Sequence, residues 1–336
     1  MSQPSARTVA GLRRAALFLA VATLGAGCAH HGPAPGAPAT FRAASATAEP
    51  LRFIVYGDMR FTAASETQAS VPAARQALIA RIAAEAPAAV LLTGDVPWHG
   101  GSVADYAVYR AETAPWREAG IPVYAALGNH EFAQCAEAEC LENWWTAFPA
   151  LRGRRWYSVS IGSRLVALAL DTDAPLEPGS AQRAWLDAEL ATLPGAVDFV
   201  VLFMHHPPVA DAQSGAYADH NPRPNERALA AALAAAAARS RARFVVCAGH
   251  IHNYERREQD GITYLVSGGG GARPAEVARD AADQYRGPGF PNFHYLRFTL
   301  AGALLRGEML RLEDYDAPTP GRWLSRDAFE LRAAPR

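Results

Sequence analysis

The sequence predicts an α/β fold in which two sheets pack together with helices outside, and three observations carry that expectation. From residue 51 onward, short apolar runs alternate with helical stretches. Three of those runs end in a glycine followed by a polar side chain: Gly57-Asp58, Gly94-Asp95 and Gly128-Asn129. Beyond residue 254, four further runs read as antiparallel strands. The length agrees, since 336 residues suit one large α/β domain with a substantial core.

A first strand spans 51–56 and ends at Gly57-Asp58. Composition predicts a helix over 71–86, then a strand over 88–93 that ends at Gly94-Asp95. A helix over 103–118 leads to a strand at 122–127, ending in Gly128-Asn129-His130-Glu131. Ligands of open α/β sheets sit beyond the carboxyl ends of the strands, so this repetition marks a site. Trp144, Trp145 and Phe148 lie in a predicted helix and read as core or lid packing. Runs 155–161 and 164–170 then flank Gly162-Ser163, a hairpin signal. A helix near 181–191 precedes strand 198–204, which ends in His205-His206-Pro207-Pro208. The alanine-rich stretch 226–239 is helical on propensity and feeds strand 243–247, ending in Gly249-His250-Ile251-His252. Strands over 254–259, 262–267, 295–300 and 304–312 complete a domain of 51–315. The Pro-rich tail, 316–336, is expected to cover the surface. There is no internal repeat.

The N-terminus reads as an export signal. Arg7, Arg13 and Arg14 precede an apolar run over 15–24, too short for the roughly 20 residues that span a bilayer. The run closes in Leu24-Gly25-Ala26-Gly27-Cys28, which resembles a bacterial lipoprotein cleavage site with Cys28 as the lipidated residue. Gly25 departs from that pattern, so cleavage without lipid and an uncleaved anchor stay open, as does a twin-arginine signal at Arg13-Arg14. Residues 29–50, rich in Pro, Ala and Gly, read as a flexible tether. His30-His31 within it is a solvated pair or a stray metal site. The expected location is the periplasm or a membrane surface.

A net charge of -1 gives no sign of a polyanion binder, and no nucleic-acid partner is expected. Every basic residue among the 32 is arginine, which excludes a Walker-type phosphate loop and a Schiff base. Cys135 and Cys140 lie close in a polar segment and would pair in an oxidising compartment. Cys247 sits in an apolar run and reads as an inert buried thiol.

Asp58, Asp95, Asn129, His130, His205, His250 and His252 all follow strands. Carboxylate, amide and imidazole together form a ligand set for borderline divalent or trivalent metals. His250 and His252, two apart, share one face of an extended segment. One Gly-Asp alone is usually a turn or cap, and one His-x-His is more often a surface pair. The joint occurrence in this order is what points to metal. Two ions about 3.5–4 Å apart need a bridging group, and a carboxylate can bridge.

The ordered set Gly57-Asp58, Gly94-Asp95, Gly128-Asn129-His130-Glu131, His205 and Gly249-His250-Ile251-His252 resembles the calcineurin-like metallophosphoesterase superfamily. The extended motif from Gly249 through Asn253-Tyr254-Glu255-Arg256 looks like the purple acid phosphatase branch. This resemblance spans roughly 51–312 and implies a four-layer α/β/β/α sandwich of two mixed sheets. It implies hydrolysis of phosphate mono- or diesters by a metal-bound hydroxide, with a phosphoester small molecule as substrate. Two divalent or trivalent ions (iron, manganese or zinc) are implied, bridged by Asp95. Asn129, His205 and His250 would complete one position, and Asp58 and His252 the other. His130 would stabilise the transition state or protonate the leaving oxygen, with Glu131 orienting it. His206 would contact substrate or lie behind the ligands.

Two positions depart from the family pattern. Arg60 stands where a histidine is common, and Trp98 where purple acid phosphatases have tyrosine. Neither side chain can ligate, so the position of Asp58 and His252 lacks its usual fourth ligand. Solvent or substrate fills the gap, His99 replaces the ligand, or the position is weak. Arg60 itself either grips phosphate oxygens or pairs with a nearby carboxylate. A scaffold lipoprotein with a degenerate first position, binding metal without catalysis, is the rival function.

Overall fold

The computed structural model describes residues 40–43 and 49–335. The predicted signal, Cys28, His30-His31 and most of the predicted tether lie outside the described residues. The elements run β1 (Thr40–Arg42), β2 (Leu51–Tyr56), α1 (Pro72–Glu85), β3 (Val90–Leu92), α2 (Val103–Glu112), α3 (Ala114–Glu118), β4 (Val123–Ala125) and α4 (Glu137–Ala147). The second half follows with β5 (Tyr157–Ile161), β6 (Leu165–Ala169), α5 (Ala181–Ala191), β7 (Phe199–Met204), α6 (Pro224–Ala237) and β8 (Arg243–Ala248). Five strands close the chain: β9 (Tyr254–Gln259), β10 (Ile262–Ser267), β11 (His294–Ala301), β12 (Leu304–Leu312) and β13 (Trp323–Arg332).

These strands form two mixed sheets, one ordered β1-β5-β6-β7-β8-β10-β9 and the other β13-β12-β11-β2-β3-β4. The residues of β7 show why the layers stack. Phe199, Val201 and Phe203 join a core shared with the other sheet, through Phe53, Val55 and Leu296. The alternate residues Val200, Leu202 and Met204 join a second core with Leu186 of α5 and with Leu229 and Leu233 of α6. A strand buried on both faces must be apolar throughout, which is why β7 reads as one unbroken run. Truncating Phe203 to alanine would cost about 3–5 kcal/mol. Helix starts are fixed locally: Ser102 Oγ accepts from Asp105 N at 3.1 Å, and Ser180 Oγ accepts from Arg183 N at 3.3 Å.

Three expectations need correction. The helix predicted over 103–118 is two helices meeting at Thr113, because Pro115 in the first turn of α3 lacks the N–H that a continuous helix needs. The tether contributes β1, which pairs with β5, and Phe41 packs edge-on to Tyr157 at 5.3 Å. The tail supplies β13, an edge strand on β12, with Trp323, Phe329 and Leu331 packed against the core. Among the described residues no helix is long and apolar enough to cross a membrane.

Candidate metal centre

Strands β2, β3 and β4 are parallel, so the loops after them emerge at one end of their sheet. Those loops carry Asp58, Asp95 and Asn129. In the other sheet β7 and β8 are parallel and deliver His205, His206, His250 and His252. The two sets meet. His250 N donates to Asp58 Oδ1 at 3.0 Å, and His205 Nε2 lies 3.3 Å from Asp95 Oδ1.

The backbone here is forced. Asp58, Arg60, Asp95 and His250 all adopt left-handed φ, at 61°, 49°, 53° and 70°. Each costs on the order of 1 kcal/mol, and such outliers gather at functional sites. A ladder holds the first two loops together: Asp58 N donates to Gly94 O at 3.1 Å, Met59 N and Arg60 N to Asp95 O at 3.1 and 3.0 Å, and Phe61 N to Val96 O at 2.7 Å. Close approach explains Gly128 and Gly249. A Cβ would lie 2.6 Å from Asp95 Oδ1 at the first and 2.3 Å from Asp58 Oδ2 at the second. The glycine-rich segment after β10 also passes close, with Ala272 N donating to Asp58 O at 2.8 Å.

Hydrogen bonds to carbonyls set the imidazole tautomers. His205 Nδ1 lies 3.0 Å from Thr93 O, His252 Nδ1 2.7 Å from Arg273 O and His130 Nδ1 2.6 Å from Trp98 O. A carbonyl only accepts, so each Nδ1 carries a proton and each Nε2 is turned towards the site. Around His205 Nε2 stand Asn129 Oδ1 at 2.9 Å, His250 Nδ1 at 3.3 Å and Asp95 Oδ1 at 3.3 Å. His205 Nε2, Asn129 Oδ1 and Asp95 Oδ1 form a knot of acceptor atoms that a cation would satisfy, and His250 Nδ1 joins them in the tautomer that protonates Nε2. His252 Nε2 is buried with no hydrogen-bond partner, 3.6 Å from Asp58 Oδ1. The residues present therefore fit metal ions, as do the groups Asp58, Asp95, His205 and His205, His206, His250, whose ligand atoms lie within 4.8 Å of one another.

Burial divides the charges. It pushes Asp58 up to about 7, with Asp95 adding to the rise and His205 opposing it. Burial acts upward on Asp95 too, but His205, His130 and Arg60 together hold that carboxyl well below the usual range. Desolvation lowers His130, His206, His250 and His252, which favours the neutral form of these four imidazoles.

Several predicted residues take places that spacing did not show. Glu131 does not orient His130. Its Oε2 accepts from Gly128 N at 2.7 Å and Asp95 N at 3.0 Å, and Oε1 accepts from Val96 N at 2.8 Å, stapling two loops. The Trp98 carbonyl holds His130 instead, and the indole stacks on its ring at 4.8 Å. Arg60 pairs with Asp95, Nη2 to Oδ2 at 3.1 Å, and lies over the Trp98 ring at 5.2 Å. His206 Nδ1 meets Thr172 Oγ1 at 2.8 Å, and its ring lies 4.4 Å from that of His250. His99 turns to Asp105, 3.9 Å away. A disulfide joins Cys135 and Cys140, with Cα atoms 5.6 Å apart, and Cys247 is a buried free thiol. Sequence reasoning left His220 unassigned, yet its ring reaches 5.1 Å from that of His250. No local motif could have placed it, because it comes from the long loop after β7. A cavity of about 360 Å³ adjoins the centre, lined by Asn129, Phe132, Cys135, Glu137, Arg155 and Asp173. A larger one, about 600 Å³, lies between α5 and α6 at the other ends of β7 and β8.

The model of the calcineurin-like phosphoesterase family matches residues 51–254. The chain belongs to that family. It has the metallophosphatase fold of two mixed sheets and flanking helices. No curated protein sequence matches this phosphoesterase. Among solved structures it is similar to the purple acid phosphatase PPD1 of yellow lupin seeds, at 19% identity and a TM-score of 0.67 over 84% of this chain and 54% of that one. It thus spans about half the length of the lupin enzyme. It is similar also to GAP50, the anchor in the inner membrane complex of Plasmodium (12% identity, TM-score 0.60, 85% and 90% covered). A dimetal phosphatase from Danio rerio shares the fold at 14% identity and a TM-score of 0.55, with 85% and 99% covered.

Proposed function

We propose that this phosphoesterase hydrolyses phosphate mono- or diesters at a dinuclear centre, in the manner of an acid phosphatase. The knot of acceptor atoms around His205 Nε2, beside the partnerless Nε2 of His252, carries that reading. Asp95, Asn129, His205 and His250 would hold one ion, and Asp58, Asp95 and His252 the other, with iron, manganese and zinc as candidates. Bound ions supply Lewis acidity, lowering the pKa of water and neutralising phosphate charge. The chain supplies the rest. Glu131 fixes the loops that present Asp95 and Asn129. The Arg60 guanidinium, only partly exposed, stands where phosphate oxygens would arrive. The cavity beside Asn129 receives the alcohol portion of the ester. His130 is pinned at Nδ1, and its Nε2, 3.9 Å from Asp95 Oδ2, would take up a proton before passing it to the leaving oxygen.

Replacing His130 with alanine tests this. Turnover of p-nitrophenyl phosphate should fall on the order of 100-fold while metal content holds. Unchanged turnover removes His130 from the chemistry. Export with a lipid on Cys28 belongs to the same proposal. Fatty-acid labelling should mark the chain and vanish in Cys28→Ser, and labelling that survives the substitution rejects it.

A further inference from the structure

The two ion positions are not equivalent, and Arg60 makes the difference. Around His205 Nε2 four protein atoms face one another: Asp95 Oδ1, Asn129 Oδ1, His250 Nδ1 and that nitrogen itself. The other position would take Asp58, His252 Nε2, 3.6 Å from Asp58 Oδ1, and the oxygen of Asp95 not turned to His205, Oδ2, which already accepts two hydrogen bonds from Arg60, from Nε at 3.3 Å and Nη2 at 3.1 Å.

This arginine is not a passing surface side chain. Its backbone N donates to Asp95 O at 3.0 Å within the ladder that joins the two loops. Its left-handed φ of 49° is held there against the ordinary preference of a long side chain. The Trp98 ring lies under the guanidinium, and only 15% of the side chain is exposed. A guanidinium keeps its proton, so it cannot yield its charge to make room for a ligand bond.

We infer that Arg60 is a built-in cation that shares Asp95 Oδ2 with any ion at Asp58 and His252, so that position binds metal far more weakly than the other. The inference rests on the metal-dependent reading above. It makes the centre graded: one ion is resident, and the second arrives only at higher metal concentration or together with an anionic substrate that draws Arg60 away from Asp95.

The test is a titration of the metal-free full-length chain with Mn²⁺, read by equilibrium dialysis and by electron paramagnetic resonance, with no activity assay. The wild type should take up one equivalent tightly and a second at least about 30-fold more weakly, a ratio modest for one unit charge a few ångströms away. Arg60→Gln, which removes the charge without adding a strong ligand, should tighten the second equivalent about tenfold. Arg60→His should tighten it further and bring the spin-coupled signal of an ion pair to lower metal concentration. Two equally tight equivalents in the wild type overturn the inference without recourse to any variant. A second equivalent that is no tighter in Arg60→Gln overturns it as well. A wild type that binds no Mn²⁺ overturns the metal-dependent reading itself, and the inference with it.

Discussion

The two halves of the centre come from different sheets and differ in kind. The six-stranded sheet supplies oxygen, through Asp58 after β2, Asp95 after β3 and Asn129 after β4. The seven-stranded sheet supplies nitrogen, through His205 and His206 after β7 and His250 and His252 after β8. The oxygen half holds the formal charge and three of the four left-handed φ values at the site. In the nitrogen half, burial keeps His206, His250 and His252 neutral with lone pairs to offer. Neither half is complete alone. Two carboxylates buried together cannot both stay charged without a cation, and buried imidazoles gain nothing from one another.

The largest effect should come from the group that serves both ion positions. Asp95→Asn should lose both ions and on the order of 1000-fold in turnover. His252→Ala, which touches only the position beside Asp58, should lose the weaker of the two ions, measured at a metal concentration that fills both positions in the wild type, and about 10- to 100-fold in turnover. Metal analysis of both variants separates the halves, and equal losses would break the comparison. A smaller effect tests how a buried carboxylate behaves where no metal is expected. Glu255 Oε2 accepts from Asp211 N at 2.7 Å while Oε1 has no partner, and burial pushes the carboxyl up to about 8 although that hydrogen bond acts to lower it. The folded state therefore keeps a proton that the unfolded chain releases above about 4.5. Stability should fall as pH rises from about 5 to 8, by at most about 1.4 kcal/mol per pH unit. Glu255→Gln removes that contribution, so its melting temperature should change less over the range. Parallel profiles for the two proteins would contradict it.

The interior was legible and the margins were not. Strands such as β7 and β8 announce themselves because burial on both faces demands unbroken apolar runs, and the polar residue after each marks the site end. Edge strands carry no such demand. β1 is three residues long, and β13 alternates half-buried with exposed positions behind a Pro-rich turn, so both read as loose chain. Motif order brought the candidate ligands together on paper, but pairings across the fold stayed hidden. Arg60 meets Asp95 across 35 residues, and Glu131 staples backbone rather than steering His130. The split at Thr113 had a signal in Pro115 that helical composition outweighed.

Removal and return of metal decides whether hydrolysis depends on bound ions. The purified chain is stripped with chelator, assayed on p-nitrophenyl phosphate and bis(p-nitrophenyl) phosphate, then reconstituted separately with manganese, zinc and iron. Metal-dependent hydrolysis predicts no turnover in the stripped protein and recovery in step with bound metal. Full turnover without metal, or bound metal with no turnover of either ester, would contradict it.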